Sequence, residues 1–382
     1  MTDFTNTPEL SESTKTAISY STCYKPSLHL FPYDWTLENA NFTKDKGKVF
    51  SCFACGGGST MGYKLAGFDV IGHNDIDAKM IDVYKENHNP KYSFLESITT
   101  FAKRKDLPKE LYELDILDGS PPCSSFSMAG NREKDWGKEK VFREGQASQV
   151  LDTLFFDFID LAKELQPKVV VAENVKGLMQ GNAKSYVIKI YKAFEEAGYY
   201  CQHWLMDSSV MGVPQKRERV FFIAKRKDLA EPFLYQKDMF TVAPKLHLEF
   251  KEKEIKFKEI YEKGAEKNTI NEHYLKLMEN LKKGEPDLRY PTKRLEGKEN
   301  NFGNKIQYLD KVCYSILASD KDIVFKDNRF KTKSEFIKAG TFPSDYNFTG
   351  TRPSYLIGMS VPPVMTAQIS TQIYEQWLSK AR

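Results

Sequence analysis

No run of about 18 apolar residues occurs anywhere in the 382-residue chain, so no segment reads as a membrane-spanning helix. The amino terminus also lacks the basic-then-apolar pattern of a secretory signal. Cysteine is sparse. The six thiols, at Cys23, Cys52, Cys55, Cys123, Cys201 and Cys313, are scattered. That argues against a disulfide framework and for reduced thiols in a cytoplasmic protein. Charge of one sign is in short supply too, the formal net charge being only +4. Such a balance permits nucleic-acid binding without implying it, because a local basic face matters more than the sum. Neither an internal repeat nor an extended low-complexity tract is present. Apolar residues are plentiful: a 41% hydrophobic fraction is ample for a folded core. The length suggests roughly two domains, or three.

Residues 1–46 are rich in Ser, Thr, Asn and Pro and show no sustained period. They read as a loosely ordered extension, with Leu28, Leu30, Phe31, Tyr33 and Trp35 available to dock on a body. From Lys48 short apolar runs alternate with helix-like segments. Strands are expected at Val49 to Phe53, Phe68 to Ile71, Leu114 to Leu117, Val169 to Ala172, Tyr199 to Met206 and Val220 to Ala224. Helices are expected at Met61 to Leu65, Ala78 to Asn87, Val150 to Leu165 and Lys184 to Ala197. This alternation predicts a doubly wound α/β sheet over residues 47–227. The alternation then stops, and a Lys/Glu-rich segment follows that reads as a separate small domain, 228–345. One helix is legible in it. Thr269 and Glu272 form a capping box, Ile270, Tyr274, Leu277, Met278 and Leu281 make one face, and Gly284 with Pro286 ends it. Residues 346–382 close the chain, with a final helix from Val364 to Leu378.

Cys55-Gly56-Gly57-Gly58-Ser59 follows the first strand and opens a helix. Consecutive glycines allow a tight turn and close approach to a ligand, and the helix start presents free N–H groups. Asp75 and Asp77 end the second strand, where an acid accepts bonds from ribose hydroxyls. Together they suggest a nucleoside-containing cofactor, although a purely structural glycine turn also fits. Cys52 and Cys55 form a C-x-x-C pair, but no further ligands stand nearby at metal spacing.

Asp118-Gly119-Ser120-Pro121-Pro122-Cys123 follows a buried strand, and its two prolines pin the backbone just before a thiol. A polar loop through Gly130, Asn131 and Arg132 to Gly145 comes next and reads as mobile. A thiol at the carboxyl edge of a parallel sheet sits where ligands bind, and thiols are strong nucleophiles. Glu173-Asn174-Val175 ends the next strand in the same way, and an acid there can protonate a ring nitrogen while a nucleophile adds. Arg217 and Arg219 flank Glu218, so both are expected on one face of an extended segment, suited to a phosphate or a base carbonyl. Surface salt bridging with Glu218 is the plainer alternative.

The ordered set Phe53-x-Cys55-x-Gly57-Gly58, Pro121-Pro122-Cys123, Glu173-Asn174-Val175, Gln215-x-Arg217-x-Arg219 and Gly358-Met359-Ser360-Val361-Pro362 resembles the DNA (cytosine-5)-methyltransferases. The resemblance runs from about Val49 to Gln368. It implies a Rossmann-like methyltransferase sheet with a smaller target-recognition domain. It implies Cys123 as the nucleophile at cytosine carbon 6, Glu173 at ring nitrogen 3 with Asn174 supporting its loop, and Arg219 at the base carbonyl with Arg217 as companion. S-adenosyl-L-methionine would be held by Phe53, Gly56, Gly57, Gly58, Asp75, Ile76, Ser97, Pro121, Ser360 and Val361. No metal is expected. The partner is double-stranded DNA, with the target base flipped out of the stack. A cytoplasmic monomer, paired with a cognate restriction endonuclease, completes the expectation.

The sequence departs from the family at three places. Cys55 stands for the first glycine of the turn, Ser97 for an adenine-contacting aspartate (with Glu96 adjacent), and Met359 for an asparagine. Three alternatives stay open: a tRNA cytosine-5 methyltransferase, a DNA-binding relative without turnover, and a Rossmann dehydrogenase, which leaves Pro121-Pro122-Cys123 unexplained.

Overall fold

Short β-branched and aromatic runs with apolar residues at every position must be covered on both faces, and here they form the middle of one sheet. In the computed structural model of the chain, residues 29–122, 153–180, 184–237, 241–265, 270–299 and 303–381 are described, with the backbone of 139–140 and 149–150. The elements that position the site are β1 (Lys48–Cys52), α1 (Gly58–Leu65), β2 (Asp69–Asp75), α2 (Ala78–His88), β3 (Tyr92–Leu95), α3 (Ile98–Phe101) and β4 (Ile116–Gly119). They continue with α4 (Leu154–Leu165), β5 (Val169–Val175), α5 (Lys184–Glu196), β6 (Tyr199–Asp207) and β7 (Glu218–Arg226). The seven strands run in the order β3-β2-β1-β4-β5-β7-β6. The first five are parallel. β7 alone is reversed, pairing antiparallel with β5 and with β6. The sheet is therefore mixed at one end.

Side chains alternate between two cores, as the pleat requires. Val170 and Ala172 of β5, with Val220, Phe222 and Ala224 of β7, pack against Phe158, Leu161 and Leu165 of α4 and Ile190 and Phe194 of α5. Val169, Val171, Phe221 and Ile223 face the other way, onto Tyr63 of α1, and onto Val364, Met365, Ile369 and Trp377 near the carboxyl terminus. The last helices are α9 (Pro353–Met359) and α10 (Pro363–Ile373), the latter continued by a π-helical turn at Tyr374–Leu378. A Cβ on Gly62 would stand 2.3 Å from the Pro363 carbonyl, so α1 and α10 lie backbone against backbone.

Residues 228–345 carry β8 (Leu234–Gln236), β9 (Val242–Pro244), α6 (Glu272–Glu279), α7 (Arg289–Glu296), β10 (Ile306–Gln307), β11 (Ile323–Val324), β12 (Arg329–Phe330) and α8 (Lys333–Ala339). A small core of Ile270, Leu277, Met278, Leu288, Ile306 and Ile323 lies within this stretch. Charge is buried beside it. Arg329 makes a two-pronged contact with Glu335 at 2.7 and 2.8 Å, and Lys331 reaches Asp322 at 2.8 Å.

Several local expectations change. The cap of α6 is Asn271, whose side chain accepts from Tyr274 N, and the helix stops at Glu279; Thr269 lies outside the described residues. Helix α4 starts at Leu154 rather than Val150, which instead pairs with Glu139 in a two-residue ladder. Residues 29–46 dock rather than trail: Phe31 and Trp35 are buried, and Trp35 Nε1 donates to the Thr341 carbonyl at 3.0 Å. Among the described residues, no helix is long and apolar enough to cross a membrane.

Candidate active site

The strand order reverses between β1 and β4, and such a switch point opens a crevice at the carboxyl edge of a sheet. Cys52 pairs with Gly119, and Gly119 with Ala172. The glycine turn, the Ser120-Pro121-Pro122 segment and Glu173 therefore leave three neighbouring strands at one level. Because β7 runs backwards, its first residues reach the same edge, where Arg219 pairs with Val175.

The turn is held in an unusual backbone form. Phe53 (φ 53°), Cys55 (φ 48°) and Gly57 (φ 86°) alternate in the left-handed region. At Cys55 this explains why glycine suits the position, since a side chain there is strained. Asp75 Oδ2 accepts from Cys55 N at 2.7 Å, and Oδ1 from Asp77 N at 2.9 Å. Burial raises the Asp75 carboxyl to about 6 against these N–H bonds. Asp75 thus braces the turn from within. Asp77 caps α2, accepting from Lys79 N and Met80 N. Ser97 caps α3, accepting from Thr100 N, and Glu96 pairs with Arg104 at 2.8 Å.

A small open cleft lies against the turn, lined by Phe53, Ala54, Cys55, Gly58, Ser59, Ser120, Met359, Ser360 and Val361. Of the residues expected to hold a cofactor, Phe53, Gly58, Ser360 and Val361 are on its wall; Gly56, Gly57, Asp75, Ile76, Ser97 and Pro121 are not. Gly58 has no room for a side chain, because a Cβ would meet the Val361 carbonyl at 2.6 Å.

On the neighbouring strand ends, Asn174 Nδ2 donates to the Pro121 carbonyl at 3.1 Å, tying β5 to the proline segment. Arg219 Nε lies 2.8 Å from Glu173 Oε1, with the side chains only 16% and 13% exposed. Arg217 behaves differently from its expected companion. It precedes β7, is buried, and gives its two terminal nitrogens to the carbonyls of Ile316 (3.1 Å) and Gly358 (2.9 Å). Gln215 joins the same staple, donating to the Ala339 carbonyl and accepting from Ile316 N. Cys123 lies outside the described residues, as does the loop after it, apart from the backbone of the 139–140 and 149–150 pairs.

The profile of the C-5 cytosine-specific DNA methylases matches residues 47–375. The chain belongs to this family. The type II methyltransferase M.FnuDI of Fusobacterium nucleatum is 35% identical over 182 residues, which are 48% of this chain and 48% of that protein. M.NgoPII of Neisseria gonorrhoeae is 35% identical over 190 residues, 50% of this chain and 51% of its own. The chain thus spans about half the length of these curated relatives in the aligned part. A mutant DNMT2 of Spodoptera frugiperda superposes with a TM-score of 0.55 at 19% identity, covering 86% of this chain and 99% of that one, and so shares the fold.

In this methylase-family chain, sequence reasoning passed over Asp118. Its carboxyl is buried at the end of β4 and accepts from Ser51 Oγ (2.7 Å), Ser59 Oγ (2.8 Å) and Tyr63 OH (3.2 Å). Burial raises it to about 6 despite these donors. It links β1, β4 and the start of α1 directly below the cleft. The pairing of an acid before the Pro-Pro segment with a serine after the glycines was a readable signal. Ser59, Ser120 and Met359 on the cleft wall were likewise missed as lining residues.

Proposed function

We propose that this chain is an S-adenosylmethionine-dependent methyltransferase acting on carbon 5 of a cytosine flipped from a specific duplex DNA sequence. The observation that carries the reading is the meeting, at one sheet edge, of the glycine turn, the Asn174-anchored proline segment and the Glu173–Arg219 pair. Family membership supports it.

The cleft suits such a cofactor. Phe53, Met359 and Val361 offer apolar wall, and Ser59, Ser120 and Ser360 line it with hydroxyls; those of Ser59 and Ser360 already donate, to Asp118 and to the Leu356 carbonyl, and are left to accept. The N–H groups at the start of α1 suit a carboxylate. Phe53, Gly58, Ser360 and Val361 would hold it, with Asp75 shaping the turn. When bound, it supplies an electrophilic methyl group on a sulfonium.

The chain's own residues do the rest. The Cys123 thiolate adds to carbon 6 of the ring, which makes carbon 5 nucleophilic. Glu173 hydrogen-bonds or protonates ring nitrogen 3, and Arg219 holds that carboxylate and the base carbonyl. Asn174 fixes the segment leading to Cys123. Once carbon 5 carries the methyl group and has lost its proton to a base, the thiolate leaves and the ring is restored. Residues 228–345 serve as the target-recognition domain, and 346–382 return to close the cleft. Relatives that are type II methyltransferases favour a place beside a cognate restriction endonuclease.

The test is tritiated methyl transfer from S-adenosylmethionine to duplex DNA, with bisulfite sequencing of the product. The wild type labels DNA and Cys123→Ala does not. Label retained by Cys123→Ala, or carried by tRNA rather than DNA, overturns the proposal.

A further inference from the structure

The dipeptide Cys55-Gly56 is clamped at both ends. Its N–H is taken by Asp75 at 2.7 Å, and the Gly56 carbonyl accepts from the hydroxyl of Tyr346, a residue 290 positions away. The same hydroxyl lies 3.2 Å from His88 Nε2. His88 in turn fills the space beside the turn, because a Cβ on Gly57 would fall 2.0 Å from that nitrogen. The Tyr346 ring is locked edge-on between Phe342 and Phe348, with centroids at 5.2 and 5.3 Å.

The segment bearing Tyr346 is itself strapped from outside. Ser344 N donates to the Trp35 carbonyl at 2.8 Å, and Asp345 accepts from Leu37 N (2.7 Å) and Glu38 N (3.1 Å). Lys338 pairs with Asp34 at 2.7 Å. A turn with non-glycine residues in the left-handed region keeps that form only if its surroundings over-determine it. Asp75 supplies one restraint, and Tyr346, with His88 also bonded to the Gly56 backbone, supplies the other.

We infer that Tyr346 is a positioning residue for the cofactor: it fixes the Gly56 carbonyl, and with it the shape of the cleft wall, while residues 34–38 hold Tyr346 in place. The inference rests on the reading of the cleft as the S-adenosylmethionine site.

Tyr346→Phe removes only the hydroxyl and keeps the ring packing. S-adenosylhomocysteine is titrated calorimetrically into wild type, Tyr346→Phe and Asp345→Ala, and amide exchange at residues 54–58 is followed in the ligand-free proteins. Tyr346→Phe weakens binding about three- to tenfold, the equivalent of one neutral hydrogen bond. It speeds exchange at 54–58 and raises KM for the cofactor while kcat stays unchanged. Asp345→Ala, remote from the cleft, shifts affinity and exchange the same way by less, and it keeps the test decisive where Tyr346→Phe folds poorly. Wild-type affinity and exchange in Tyr346→Phe overturn the inference alone. A wild type that does not bind S-adenosylhomocysteine overturns the cofactor reading and this inference with it.

Discussion

The side-chain amide of Asn174 bridges to the main-chain carbonyl of Pro121 across 3.1 Å, joining two strand ends that are 53 residues apart in sequence. Asn174 is buried, and its own Oδ1 accepts from Val175 N at 2.8 Å. Both functions of the amide are therefore in use. Truncation to Ala would leave a carbonyl without its donor two residues before Cys123. Asn174→Ala should lower kcat about a hundredfold, the order expected when a reacting group is misplaced by about 1 Å. Affinity for S-adenosylhomocysteine should be nearly unchanged. Single-turnover methylation with a parallel binding titration checks this, and an unaltered kcat would sink it.

Arg217 and Arg219 should separate under mutation. Arg217 holds the carbonyls of Ile316 and Gly358 from a buried position, whereas Arg219 faces Glu173. Arg217→Met should cost about 2–4 kcal/mol of stability, because two carbonyls lose their charged donor. Arg217→Lys should rescue little, since an ammonium cannot reproduce the planar fork. Arg219→Met should destabilise less and reduce kcat about 100- to 1000-fold, as for loss of a preorganised electrostatic contact. Thermal melts and steady-state kinetics on the three variants test the split. Equal melting losses in Arg217→Met and Arg219→Met would refute it.

The sheet was legible because its middle strands are continuous apolar runs, Val169 to Ala172 and Val220 to Ala224 among them, whose burial on both faces leaves a strong signal. β3 was not foreseen, because Tyr92–Leu95 is a half-exposed edge strand following Asn89-Pro90. The motif order also gave the strand ends that meet at the cleft. It could not give the partners. Asp75 and, through the family resemblance, Ser97 are expected at the cofactor; what the structure adds is that their side chains accept from backbone N–H groups of the turn and of α3. Arg217 looks like a twin of Arg219, but the carbonyls it meets lie 99 and 141 residues away. Residues 228–345 were opaque because charge is buried there: Arg329, Glu335 and Lys331 are interior residues, and no hydrophobic period marks such positions in sequence.

Cys55→Gly offers a test of backbone strain. At φ 48° the Cys55 side chain opposes the backbone, and glycine removes that opposition. The variant should gain about 1 kcal/mol, less a few tenths for the freer unfolded chain. The expected sign is a higher melting temperature. A lower one would show that thiol packing outweighs the strain.

Lys225 makes a prediction whose sign depends on pH. Its ammonium is buried without a hydrogen-bond partner among the described residues, near the rings of Phe233 (5.3 Å) and Trp377 (5.9 Å). Burial lowers its pKa from 10.5 to about 8. Between those values the unfolded chain binds more protons than the folded one, so this group makes stability rise with pH across the window. Below about 8 both states are charged and the desolvation cost is present in full. Lys225→Met removes that cost and fills the space with an apolar side chain. The variant should therefore be more stable at pH 7, and its advantage should shrink as pH climbs towards 10.5. Denaturant unfolding at pH 7 and pH 10 measures both. A Lys225→Met variant less stable than wild type at pH 7 would mean that the attraction of the ammonium to the two rings exceeds the cost of burying it.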